Sequence, residues 1–380
     1  MSNALAADAA AGPEGLKSDQ LFINLGPQHP STHGVLRIGL TINGEVIAKA
    51  VPDIGYLHRG TEKLAELRNY HHCVVLTDRW DYVAAMPNNL VFCLAAEKLM
   101  GVKATPRADA LRVIMCEMNR IASHLLFFGT YGIDLGALTP FLYAFREREM
   151  VLDLFEMLCG ARLTYNYIRL GGVMTDVSPE WLKRATEFVE YFKPRLDEYD
   201  TLLTYNPIFM ARTQGVGIVT PEEAVGWALS GPNLRGSGVN HDVRKSDPYC
   251  GYENYAFDVP LGKTGSCWDR YFCRVQEMRQ SLRIITAAIE KLPAGPFMAP
   301  GVAKIPKPAP GEAYAHVEGA RGDLGIYIAS DGGISPYRMH VHAPSFINLA
   351  MLQEKLVGMK MSDVIALLGS IDIVLGEVDR

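Results

Sequence analysis

LRVIMCEMNRIASHLLFF (residues 111–128) sets Leu111, Ile114, Met115, Met118, Ile121, Ala122 and Leu125 three or four positions apart. That spacing lines one face of an α-helix. Outward from it, Phe141–Leu163 repeats the signal, and Ser178-Pro179 supplies an N-cap with proline at the first helical position behind it. The helical pattern runs from Thr61 to about Tyr205 with little charge on its outer faces, which predicts a bundle packed on several sides. Upstream, Gln20 to about Gly60 alternates as strands do, and Val35–Thr41 and Glu45–Val51 flank Asn43-Gly44, the dipeptide of a tight hairpin turn. Downstream, residues 206–263 are rich in Gly, Pro, Asn and Tyr, with one short helix opened by the capping box Thr220-Pro221-Glu222-Glu223. Phe272, Val275, Met278, Leu282, Ile285 and Ile289 mark the seam of a longer helix. The Pro-rich connector Pro293–Pro310 then leads to a second hairpin, Leu324–Ser330 and Tyr337–Ala343 around Asp331-Gly332-Gly333, and short helical stretches near Phe346–Lys355 and Asp363–Leu368 end the chain. Strands, then helices, then strands predict an α+β fold rather than repeated βαβ units. The expected divisions are a disordered or docking tail at 1–18, a β region at 19–60, a helical bundle at 61–205 and a C-terminal α/β region at 206–380.

Composition narrows the function classes. With 37 basic and 42 acidic residues the formal charge is −5, so no bulk basic field exists for nucleic acid. The longest apolar stretches, Leu125–Phe128 and Ile284–Ile289, fall far short of the roughly 20 residues of a membrane span. The first 18 residues lack the basic start and apolar core of a signal peptide, so the chain is expected to stay on the cytosolic side. Seven cysteines stand at 73, 93, 116, 159, 250, 267 and 273, none three apart from another. Without a CxxC pair, spacing argues against an iron–sulfur cluster or a structural zinc held by this chain alone.

The candidate site begins in the loop Gly26-Pro27-Gln28-His29-Pro30-Ser31-Thr32-His33-Gly34. Two prolines and two glycines restrict its backbone, so His33 can present its ring at low entropic cost. By residue type a rigid turn with hydrogen-bonded histidines, a metal-ligating pair and an organic-ligand site all remain open. Asp78-Arg79-Trp80-Asp81-Tyr82 gathers two acids, a base and a phenol, readable as a buried salt-bridge cluster or as a ligand-binding segment. Asp134 is a lone acid after an apolar helix, either a turn-former or the partner of a histidine. Gly262-Lys263-Thr264 fails the phosphate-loop pattern because Phe257 stands where its first glycine belongs. Gly215-Val216-Gly217 lacks the third glycine of a dinucleotide fingerprint, and His340 and His342 read as paired or exposed rather than metal-binding.

Nine segments together resemble one family across nearly the whole chain: GPQHPSTHGVLR (26–37), IGYLHRGTEKLAE (54–66), DRWDYVAAMPNN (78–89), DLGALTPF (134–141), YIRLGGV (167–173), SGVNHDVRKSDPYCGY (237–252), SDGGISPYR (330–338), APSFINL (343–349) and DIVLGEVDR (372–380). They are similar to the quinone-site family, the D subunits, of respiratory complex I, the proton-translocating NADH–quinone oxidoreductase. That family is similar in fold to the large subunit of nickel–iron hydrogenases, whose metals are held by two CxxC pairs. The resemblance places those cysteine positions at Asp81 and Ala84, and at Val374 and Glu377, none of them cysteine here. It therefore implies a metal-free cavity taking a quinone headgroup, with His33 and Tyr82 hydrogen-bonding the two carbonyls and Asp134 partnering His33. His29, Pro30, Ser31, Thr32 and Gly34 would complete the loop around them.

The resemblance further implies a peripheral protein on the cytoplasmic side of the cell inner membrane, or on the matrix side in a mitochondrion. No cofactor of its own is implied. Electrons would come from an iron–sulfur cluster in a neighbouring polypeptide, with FMN also held by partners. The implied partners are the iron–sulfur B subunit, the C and I subunits, and the H subunit, which forms the quinone channel in the membrane. One departure is that Pro293–Gly322 is short where the family usually carries an amphipathic helix. A hydrogenase-type large subunit and a scaffold of a related dehydrogenase with a donor other than NADH are the competing readings, the first opposed by the four missing cysteines.

Overall fold

Asn43-Gly44 turns the chain as its chemistry predicts, with Gly44 at φ 61°, a left-handed conformation that costs glycine little. The computed structural model in which this is seen describes residues 20–29 and 34–380, so the tail expected at 1–18 lies outside the described residues. β1 (Gln20–Leu25), β2 (Arg37–Asn43) and β3 (Val46–Asp53) form an antiparallel sheet in that order. Among the described residues, the helices of eight residues or more are α1 (Tyr70–Thr77), α2 (Ala85–Met100), α3 (Pro106–Asp134), α4 (Thr139–Cys159), α5 (Pro179–Tyr199), α6 (Cys267–Glu290) and α7 (Asp363–Ile371). A short pair, β4 (Ile168–Arg169) and β5 (Gly172–Val173), lies between α4 and α5. A second antiparallel sheet, β6 (Gly311–Glu318), β7 (Asp323–Ser330) and β8 (Arg338–His342), follows α6. Mixed α and β with an N-terminal sheet and a helical core is the α+β class that the element order predicts.

Local chemistry explains the helix starts. Thr105 accepts a hydrogen bond from the Ala108 amide ahead of Pro106, and Ser178 accepts one from Trp181 ahead of Pro179. The Thr220 box is present, and a second, Ser266 with Asp269, opens α6. Asp269 also accepts from the Lys263 and Thr264 amides, so the Gly262-Lys263-Thr264 turn is tied to a helix start. α3 is the central element, lying between α4 and α6. Gly129 allows α4 to close on it: a Cβ there would sit 3.1 Å from the Phe141 Cα. The predicted face of α3, Leu111 to Leu125, is buried as expected. Truncating a leucine there to alanine costs about 2–5 kcal/mol.

Two features depart from the sequence reading. The polar face of α3 is buried too: Arg112, Glu117, Asn119, Arg120, Ser123 and His124 are all inside. β6 fills a stretch read as the run-up to a hairpin. Its Gly- and Ala-containing sequence GEAYAHVE has weak strand propensity, and pairing with β7 supplies what propensity does not. α2 packs on β6 and β7, so the helices and the second sheet share one core. Another core lies under the N-terminal sheet, where Ile38, Leu40 and Ile47 meet Leu352, Leu356, Leu367 and Val378 from the C-terminal segment. The Ile47 amide donates to Met359 O at 2.9 Å, and Gly358 donates back to Ile47 O at 2.8 Å, so the two ends of the described chain are joined. Among the described residues no helix is long and apolar enough to cross a membrane.

Candidate functional site

The C-terminal segment presses against the DRWDY stretch because Gly376 has no side chain. A Cβ on Gly376 would lie 2.6 Å from Trp80 O and 3.2 Å from the Tyr82 ring. Arg59 bridges the two strands of chain, its Nη2 donating to Arg79 O at 2.7 Å and Gly376 O at 2.9 Å. Asp379 in turn accepts from the amides of Gly55 and Leu57. The motif segments 54–60, 78–82 and 372–380 thus meet in space.

Beside this junction lies a cavity of about 310 Å³. Its wall is formed by Tyr82 and Val83, by the last turns of α3 (Leu126, Phe127, Thr130, Ile133, Asp134), by Arg321 in the β6–β7 turn, and by Asp372, Ile373 and Val374 after α7. Tyr82 and Asp134, singled out separately in the sequence, line the same space. Asp134 is the last residue of α3, where the helix dipole disfavours a negative charge, so it is no stabilising cap. Its carboxylate packs beside Gly369 of α7, 3.7 Å from where a Cβ would stand. Burial raises the Tyr82 phenol above its ordinary range, with the Asp81 charge adding to it and Arg321 and Arg59 opposing.

Asp81, Ala84, Val374 and Glu377, the positions that the resemblance sets against the hydrogenase cysteines, are buried. Asp81 accepts from the Val83 and Ala84 amides, both at 3.1 Å, and its other oxygen lies 3.6 Å from Arg321 Nε. Ala84 precedes α2, and Val374 lines the cavity. Glu377 accepts from the Ser345 amide at 3.0 Å. Burial and then the Asp81 charge push its carboxyl up to about 7. Among the described residues no group of three or more His, Cys, Asp or Glu side chains is arranged to hold a metal ion. His340 lies 3.3 Å from Glu62, and His342 Nδ1 is 3.3 Å from Asp323 O.

His33, Pro30, Ser31 and Thr32 lie outside the described residues. The flanks of their loop are described: His29 is half-buried after β1, and Gly34 is exposed at φ 105°. Sequence reasoning missed Arg321 and Asp372. Arg321 Nη1 contacts Ser123 Oγ and lies 3.5 Å from Asp372 Oδ2, and Arg274 Nε reaches the same oxygen at 3.4 Å. Burial raises the Asp372 carboxyl against both arginines. The one available signal was Gly319-Ala320-Arg321-Gly322, a cation inside a turn whose small residues allow close approach: a Cβ on Gly322 would lie 2.8 Å from Ser230 C.

Known proteins share this sequence along nearly its whole length. A family profile described as the 49 kDa subunit of respiratory-chain NADH dehydrogenase matches residues 134–308 and 301–380, and the chain belongs to that family. Its relatives are D subunits of NADH–quinone oxidoreductases. The one from Desulforamulus reducens is 52% identical over 364 residues, covering 96% of this chain and 99% of the relative. Those of Bacillus cereus and Geobacillus thermodenitrificans are 50% and 52% identical, covering 96% of this chain and 100% of each relative. The chain is accordingly a core component of a multisubunit quinone-reducing NADH dehydrogenase.

Proposed function

We propose that the cavity between the DRWDY segment, the end of α3 and the C-terminal segment receives the quinone headgroup. The observation that carries this is the convergence of Tyr82 and Asp134 on one wall, although they come from different motifs. Quinone reduction consumes two electrons and two protons, and negative charge develops on both carbonyl oxygens. Tyr82 donates a hydrogen bond to one oxygen and then its phenolic proton. His33 does the same at the other, with Asp134 holding its imidazole in the donating orientation. Donors fixed in a water-poor cavity stabilise that charge more than water does, because they need no reorganisation. Asp81, Ala84, Val374 and Glu377 line or support a pocket in which protein side chains stand where cysteines would bind metal.

In this reading electrons arrive from an iron–sulfur cluster on the B subunit, and FMN and the remaining clusters belong to other partners. The C and I subunits adjoin the chain, and the H subunit in the membrane delivers the quinone. The chain sits peripherally, on the cytoplasmic side of the cell membrane or on the matrix side of a mitochondrial one. Family membership and the nine motif segments support these assignments. The test is Tyr82→Phe in the assembled complex. Assembly is expected to be intact and quinone turnover to fall at least about tenfold, the scale of a lost proton donor. Wild-type quinone kinetics would remove the reading.

A further inference from the structure

Buried arginines elsewhere in this protein show what a structural guanidinium looks like. Arg235 donates to Glu277 Oε1 at 2.6 Å and to Glu318 Oε1 at 2.8 Å. Arg244 donates to Asp242 Oδ2 at 2.7 Å and to Glu117 Oε1 at 3.0 Å. Arg112 pairs with Glu97 and donates to Arg169 O at 2.9 Å. Each has short contacts to carboxylates, and none of the three lines the cavity.

Arg321 is built differently from these three, and from Arg274. The Arg274 Nε also has no hydrogen-bond partner among the described residues and lies 3.4 Å from Asp372. Its other nitrogens, however, donate to the carbonyls of Arg270, Ser370 and Ile371, and Arg274 does not line the cavity. Arg321 is as buried as these, yet its carboxylate neighbours Asp81 and Asp372 stand at 3.6 and 3.5 Å, beyond hydrogen-bond length. Its Nε has no hydrogen-bond partner among the described residues, and neither has Asp372 Oδ2. Leaving a buried polar atom unpaired is costly, so an orphan in a native structure calls for an account. Here the account is at hand, because Arg321 is the one cation among the described residues lining the cavity that also holds Tyr82 and Asp134. Asp372 beside it closes α7 in the left-handed region at φ 58°, a common way to end a helix.

We infer that Arg321 is a headgroup-binding residue of the quinone site, its guanidinium donating to a carbonyl oxygen and holding the negative charge that reduction places there. This rests on the quinone reading above. Arg321 transfers nothing: the electrons come from the iron–sulfur donor and the two protons from Tyr82 and His33. Its charge is strongest in effect when the oxygen is anionic, before those protons arrive, so it acts on turnover more than on binding. The loose ion pairs to Asp81 and Asp372 leave the guanidinium free to shift onto the ligand. Their charge keeps it in place when the site is vacant.

Two variants in the assembled complex test this, beside Tyr82→Phe, with steady-state quinone reduction and NADH oxidation by a soluble acceptor that bypasses the site. Arg321→Lys keeps the charge and loses the planar fork. Its kcat for quinone is expected to fall about tenfold with KM changed less than about threefold. Arg321→Met combined with Asp372→Asn removes charge in balance and is expected to lower kcat about a hundredfold. Soluble-acceptor activity should stay at wild type in both. Wild-type quinone kcat in the assembled double variant would overturn the inference, and so would failure of both variants to assemble, which assigns Arg321 to the fold. If Tyr82→Phe alone impairs turnover, the quinone site stands and Arg321 is not part of it. If Tyr82→Phe leaves quinone turnover at wild type, the quinone reading falls and the inference about Arg321 falls with it, whatever the Arg321 variants do.

Discussion

Two buried clusters of charge lie against the same helix, and they are satisfied to different degrees. Midway along α3, Glu117 accepts from Arg244, Tyr252 and Ser281, and lies within 3.2 Å of Arg120. Burial alone would raise its carboxyl, but Arg120 and Arg244 hold it down at about 2. His124, two turns further on, is pushed down to about 4 by burial, so at neutral pH it donates to Glu277 as a neutral imidazole. Near the end of α3 the cavity cluster Asp81–Arg321–Asp372 has its ion pairs at 3.5 Å or more, and Arg321 Nε and Asp372 Oδ2 have no hydrogen-bond partner among the described residues. His124 Nδ1 also has no partner among the described residues, but Glu117 has its bonds filled and locks its elements together, whereas the open bonds beside the cavity keep capacity for something that arrives later.

On that contrast, breaking the filled bonds of Glu117 should cost folding and disturbing the cavity should cost turnover. Glu117→Ala leaves Arg120 and Arg244 without a shared acceptor and should destabilise by about 3–5 kcal/mol, read as lost assembly or a large fall in Tm. Equal Tm values for Glu117→Ala and Arg321→Lys would break the comparison. Gly376→Ala sets a Cβ 2.6 Å from Trp80 O and must move the C-terminal segment off Tyr82. Quinone turnover is expected to fall about tenfold while Tm drops by an overpacking cost of about 1–3 kcal/mol.

A third prediction concerns pH. The Glu377 carboxyl is raised in the folded protein from an ordinary 4.5 to about 7, so the folded state holds a proton that the unfolded state has released. Its contribution to stability is therefore fully present below about 4.5 and declines as pH rises to about 7. Glu377→Gln should flatten that part of the Tm-versus-pH curve, and an unchanged slope would count against the Asp81–Glu377 coupling. The smallest effect belongs to a solvated pair outside both clusters. Arg184 and Glu180, 3.0 Å apart on the surface of α5, should contribute no more than about 0.5 kcal/mol, measured by Arg184→Ala.

The parts of the site legible in sequence were those in which a local pattern carries the chemistry. Tyr82 and Asp134 stand out as a phenol among charges and a lone acid among apolar residues, and their motifs place them in one family. Arg321 and Asp372 give little local signal, because an arginine in a turn is usually solvated and nothing nearby in the chain says it is buried. The same holds for α3: its apolar period marks one face, and Arg112, Glu117, Arg120 and His124 read as the wet side. They are dry because Glu97, Arg244, Glu277 and Glu318 reach them from other segments. β6 escaped notice for a related reason, since its weak propensity is overridden by β7.

What the amino-acid sequence determined by itself is local or combinatorial. The 3.6-residue period of 111–125, the turn at Asn43-Gly44, the caps at Ser178 and Thr220, and the lack of any CxxC pair each follow from neighbours along the chain. The strand–helix–strand order follows from them, as does family membership through the order of the nine motifs. Tertiary structure alone decided which charges are buried together, which of their hydrogen bonds are left open, and which cavity Tyr82, Asp134 and Arg321 share. The physical reason is that the cost of a buried charge depends on the geometry of its partners, and here those partners lie up to hundreds of residues away along the chain.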